Sequence, residues 1–180
     1  MKIFVLLTIM VAAAEFTQAQ EKTVDEQITE ALMPLPTDLR AGASVIGYDA
    51  EGKKTLLRRG TSNITCTADS PTKGFSVSCY PNSMEGYRER VTELLTAGSS
   101  EAELLEIVDA EVKSGKLHVP DRAVTYKIRG AEMQNALPLT LVYLPGATAD
   151  STGLSTDPNH YRPWLMFAGT TVAHIMIPGK

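Results

Sequence analysis

The chain has 180 residues, 43% of them hydrophobic, and a formal net charge of −4. A mildly acidic sequence with no basic run argues against nucleic acid or an anionic membrane surface as partner. No long apolar stretch follows the N-terminal segment, so no later helix is expected to span a bilayer.

Met1-Lys2 is a short basic start, Ile3 to Ala14 is apolar and uncharged, and Thr17-Gln18-Ala19 places small residues at a cleavage site. This pattern predicts a signal peptide over residues 1–19, too short and wrongly flanked for a transmembrane helix. The mature chain then starts at Gln20, has no transmembrane anchor, and works in an extracytoplasmic (periplasmic or secreted) compartment. No cysteine near the cut offers a site for a lipid anchor. Cleavage removes Lys2 and Glu15 together and leaves the net charge unchanged.

Residues 20–40 are polar, with Pro34 and Pro36, and read as an N-terminal arm, or a short helix and a linker. Residues 41–180 fit one domain of a size that buries its own core. Ala43–Tyr48 and Lys54–Arg59 read as strands around the turn residues Asp49–Gly52. A loop-rich stretch around Cys66 follows, with Asn63-Ile64-Thr65 matching a glycosylation acceptor. Phe75, Val77 and Cys79 alternate with Ser76 and Ser78, as on a half-buried strand.

The chain has two cysteines, Cys66 and Cys79. Two in an exported chain predict one disulfide, closing a loop of about 14 residues and stabilising by roughly 3 kcal/mol in the chain-entropy model. The absence of Cys-x-x-Cys argues against redox chemistry, and the spacing argues against a structural zinc site.

Two helices come next, over about 83–97 and 101–114. Asn82 is placed to cap the first with Glu85 at its third position. Met84, Tyr87, Val91, Leu94 and Leu95 share its apolar face, and Gly98 ends it. Ser100 with Glu103 is a second capping box. Leu104, Leu105, Val108 and Val112 form the stripe, and Gly115 is the stop. Beyond them Val124, Tyr126 and Ile128 alternate with Thr125, Lys127 and Arg129, predicting one dry and one wet face. Leu139–Leu144 reads as a central strand, Pro145–Pro158 as a loop, and Trp164–Phe167 with Thr171–Ile177 as a closing hairpin around Gly169. The expected fold is α+β: a mostly antiparallel sheet with the two helices on one face and one disulfide.

The candidate catalytic residues are Asp157, His160 and His174, which would serve a hydrolase by pairing with a distant serine. No Gly-x-Ser-x-Gly elbow, phosphate loop, His-Glu-x-x-His or dinucleotide glycine motif supports a defined enzyme class. His118, at the exit of the second helix, is placed to bond its last carbonyls. His174 and Met176 share a strand face and are the candidate metal ligands, because a thioether and an imidazole suit Cu(I). A site there requires Asp157, His160 or Arg129 to converge on His174. No resident cofactor is expected.

Leu57-Arg58-Arg59-Gly60-Thr61, Thr65-Cys66, Asp69-Ser70-Pro71 and Cys79 form one block. Ser155-Thr156-Asp157-Pro158 and the closing His174-Ile175-Met176-Ile177-Pro178 follow it. Together they resemble a family of uncharacterised secreted bacterial proteins, discontinuously over residues 41–178. The chain departs from that pattern in having no tryptophan between Asn63 and Cys66 and in a long helical insert. The resemblance implies export and paired cysteines, and no activity. The expected role is a non-catalytic ligand-binding or envelope-associated one, with a hydrolase second and a copper binder third. The partner is not specified.

Overall fold

The computed structural model describes residues 22–71 and 74–179. The expected signal peptide over 1–19 lies outside the described residues. The first described element is helix α1, Val24–Ala31. Thr23 caps it: its hydroxyl accepts from the Glu26 N–H, and the Glu26 carboxylate accepts from the Thr23 N–H at 2.7 Å. A short α2, Thr37–Arg40, follows Pro34 and Pro36. Residues 22–40 are thus mostly helical and packed, since Ala31 and Leu35 are buried against Ala43, Val45, Cys66 and Cys79.

Strands β1 (Ser44–Tyr48) and β2 (Lys54–Arg58) form the expected antiparallel hairpin. Strands β3 (Ile64–Thr67) and β4 (Phe75–Pro81) pair antiparallel, with Cys66 directly opposite Cys79. Their disulfide is formed, with Cα atoms 4.0 Å apart. The Cys79 sulfur also lies 3.2 Å from the Ala31 carbonyl oxygen. A disulfide sulfur has no proton to donate, so this is a packing contact that seats α1 on the bridge.

Helices α3 (Glu85–Thr96) and α4 (Glu101–Lys113) are the expected pair. Ser100 and Glu103 form the capping box, with the Glu103 carboxylate accepting from the Ser100 N–H at 2.9 Å. Both helices end on left-handed glycines, Gly98 and Gly115, where a side chain would be strained. Asn82 does not cap α3. It opens a single 3-10 turn, Asn82–Met84, and its side-chain oxygen accepts from the Thr65 hydroxyl at 2.8 Å. That bond ties the helix entrance to β3 instead.

Strands β5 (Ala123–Gly130) and β6 (Leu137–Tyr143), the short α5 (Ala149–Thr152), and strands β7 (Trp164–Met166) and β8 (His174–Pro178) complete the chain. The sheet order is β2-β1-β3-β4-β5-β6-β8-β7, antiparallel throughout except for the parallel β1–β3 pair. The architecture is α+β, as expected. Strand β8 starts three residues later than the pattern predicts. Thr171 is taken out of the strand because its N–H and hydroxyl both donate to the Asp109 carboxylate of α4, each at 2.8 Å.

Helices lie on both faces. The α3–α4 pair buries Tyr87, Leu94 and Val108 against Tyr80, Ala123, Tyr143 and Val172 on one face. On the other, α1 covers the disulfide and Tyr126. The expected wet face of β5 holds at Arg129, which is exposed, and is corrected at Thr125 and Lys127. Thr125 is only 3% exposed and Lys127 is half-buried, because Ala123, Thr125 and Lys127 share the side that carries the helical pair.

Candidate functional site

His174 lies in the core, 4% exposed, on the face that carries α3 and α4. Its ring is 4.8 Å from Tyr143 and meets Phe167 edge-on at 5.6 Å. Nδ1 stands 2.8 Å from the Val172 carbonyl oxygen. A carbonyl can only accept, so Nδ1 carries the proton. Burial pushes the imidazole pKa down and keeps the ring neutral, with the Val172 hydrogen bond working the other way. Met176 follows on the same face, opposite Leu141. Asp157 and His160 sit in the exposed loop before β7. Asp157 closes a local turn by donating its N–H to the Ser155 hydroxyl at 3.0 Å, and Tyr161 beside His160 is 97% exposed. His118 is exposed beyond α4. Among the described residues, no hydrogen bond or ring contact joins Asp157, His160 and His174, and no three His, Cys, Asp or Glu side chains gather as a metal site.

An open groove of about 560 Å³ runs between α3 and α4, lined by Arg90, Glu93, Glu111 and Lys116 among others. Arg90, Glu93, Glu111 and Lys116 are spent on one another, while Glu89, which also lines the groove, joins no ion pair among the described residues. Arg90 grips Glu111 through two bonds of 2.9 and 2.8 Å, and Lys116 adds a third at 2.8 Å. These bonds, Arg90 first, pull the Glu111 pKa down to about 2. The groove braces two helices and offers a ligand little unmatched charge.

The unmatched charge lies on the sheet. Ser76 and Ser78 of β4 face Arg129 and Lys127 of β5 as direct cross-strand partners. From α3, Arg88 reaches down over them. Its guanidinium carbon is 3.9 Å from the Tyr80 ring centroid, and one nitrogen donates to the Ser78 hydroxyl at 3.0 Å. That hydroxyl also shares a 3.0 Å hydrogen bond with Thr67. Among the described residues no ion pair includes Arg88, Lys127 or Arg129. Poor hydration around the Lys127 ammonium, then Arg129, then Arg88, push its pKa down to about 8. Every charge acting on that ammonium is positive. Glu85, on the same helix as Arg88, is engaged with the Tyr80 hydroxyl. On the same face and strand as Lys127, the Thr125 hydroxyl is buried without a hydrogen-bond partner.

Three cations and several hydroxyls are thus gathered on one partly dehydrated stretch of the sheet, all of them hydrogen-bond donors. Arg129 belongs to this cluster and does not converge on His174. The two are aligned with opposite ends of β5, six residues apart along the strand, or about 20 Å. The strand alternation marks Lys127 and Arg129 as one face. It carries no sign that Arg88, on a helix about 40 residues earlier, closes over them. No protein-family model, curated protein or solved structure matches this chain.

Proposed function

We propose that this protein binds a small anionic ligand outside the cytoplasm and does not transform it. The observation that carries the reading is Lys127: a poorly hydrated cation, flanked by two more cations, with no acid to neutralise it. An unpaired charge in such a place costs folding free energy, so its presence fits a group kept ready for a partner. A carboxylate, phosphate or sulfate group would accept from Arg88, Lys127 and Arg129 and from the Ser76 and Ser78 hydroxyls. The export signal pattern, the Cys66–Cys79 bridge and the resemblance to secreted bacterial proteins support the location.

Calorimetric titration of the purified protein with inorganic phosphate and with acetate tests this. Saturable binding is expected, weakened at least tenfold in Lys127→Met and accompanied by a rise in the Lys127 pKa. No binding of either ion at millimolar concentrations, or equal binding by the variant, would overturn the proposal.

A further inference from the structure

We infer, building on the anion-binding reading, that the ligand is a single-chain anionic amphiphile taken up as a monomer, its head on Lys127 and its tail laid across β6, β8 and β7. The α3–α4 pair covers only one end of its sheet face, over Tyr80, Ala123, Tyr143 and Val172. At the other end the strand register places apolar side chains next to the cations. Leu139 is the cross-strand partner of Lys127, and Leu137 that of Arg129. On the next two strands, one same-face pair nearer the helices and opposite Leu141, Met176 of β8 pairs with Trp164 of β7. All four lie on the cationic face, since paired residues share a side.

Leu137 is 58% exposed, while Leu139, Met176 and Trp164 are half-buried. The strip is thus open at Leu137 and partly open along Leu139, Met176 and Trp164, with no charged residue among them. Glu132, in the turn between β5 and β6, folds its carboxylate back onto the Asn135 backbone. The two sides of the cation cluster differ sharply. Towards β3 the same face carries Ser76, Ser78 and Thr67, which are all hydroxyls. Towards β7 it carries leucine, methionine and tryptophan. A head group on Lys127 therefore has one favourable direction for an apolar tail. Three strand spacings separate β5 from β7, giving a track of about 14 Å at about 4.8 Å per strand. That suits a medium to long alkyl chain lying across the strands.

Trp164 is the chain's single tryptophan, so its fluorescence reports arrival of the tail. The test titrates acetate, octanoate, dodecanoate and dodecyl phosphate, all kept monomeric. Affinity should rise by about two- to fourfold per added methylene, the upper figure being full burial at about 0.8 kcal/mol each. Trp164 emission should shift with the dodecyl probes and stay still with acetate. The Leu139→Gln/Met176→Gln variant should flatten the chain-length dependence and keep acetate binding; the exposed Leu137→Gln change gives a second reading if the double variant folds poorly. Lys127→Met should lose dodecanoate and acetate alike. Acetate binding with no chain-length dependence would overturn the amphiphile and leave the anion reading standing. No binding of any probe would overturn both. Binding to anionic-lipid vesicles without binding of monomers would overturn the inference in favour of a membrane surface.

Discussion

Replacing Lys127 with Met should make the ligand-free protein more stable. The side chain keeps its length and loses its charge, so the change isolates the cost of holding an ammonium among Arg88, Arg129 and the sheet. The Lys127 pKa falls from 10.5 to about 8, and each pH unit corresponds to about 1.36 kcal/mol. The full shift is worth about 3 kcal/mol, and water at the fringe of this half-buried group reduces it to about 1–3 kcal/mol. Below pH 8 both folded and unfolded states carry the proton, and the penalty is complete. Between about pH 8 and 10.5 the unfolded chain holds a proton that the folded protein has released, so wild-type stability rises with pH. The variant lacks that rise. Urea unfolding of both proteins at pH 7 and pH 10, followed by Trp164 fluorescence, should show the variant ahead at pH 7 and the gap closing at pH 10. A variant less stable than wild type at pH 7, or a gap that does not change with pH, would refute the claim that Lys127 is unpaired.

Four further outcomes follow from the fold. Replacing Cys66 and Cys79 together with Ala should lower stability by about 3 kcal/mol, read from urea midpoints, because the bridge closes a short loop; a loss below about 1 kcal/mol would contradict it. His174→Ala should destabilise by about 1–3 kcal/mol through lost ring contacts and an unpaired Val172 carbonyl, while acetate binding persists. Because burial lowers the His174 pKa below 6.5, wild-type stability should fall as pH drops below about 6.5, where the unfolded imidazole takes a proton first; His174→Phe should lose that dependence in thermal melts at pH 5 and 7. Gly60→Ala should unfold at least about 2 kcal/mol more easily, since a Cβ there runs into the backbone of Gly42, Ala43 and Ser44.

Local chemistry wrote much of this fold legibly. Ser100 and Glu103 are close in sequence, so their capping box is readable without tertiary knowledge, as are the glycines that end α3 and α4. The cysteine pair is readable for a different reason: compartment and number leave one partner for each. What stayed hidden depends on which elements meet. Strand alternation separated Lys127 from Tyr126 correctly but could not say that both sides would be covered, because α1 reads as an arm until Ala31 and Leu35 find Val45 and the disulfide. Asn82 looks like a cap from its spacing to Glu85, yet Thr65 from a neighbouring strand takes its oxygen. The parallel insertion of β1 between β2 and β3 left no local mark. The candidate site was not legible as a site: the alternation put Lys127 and Arg129 on one face, but Arg129 was expected to converge on His174, and nothing local tied Arg88 to either.

The seat of α1 on the sheet has a consequence for chemistry at the disulfide. Both cysteines have no solvent-exposed surface, and the Ala31 carbonyl rests on one sulfur. A reducing thiol must approach a sulfur directly, so it has to wait for the N-terminal helix to lift. The helix docks through a small apolar set (Ile28, Ala31, Leu32 and Leu35) and through Gln27, whose amide exchanges two hydrogen bonds with the Tyr48 backbone. Under native conditions the pace of reduction would thus be set by the opening of α1, making the bridge a built-in clock for that opening.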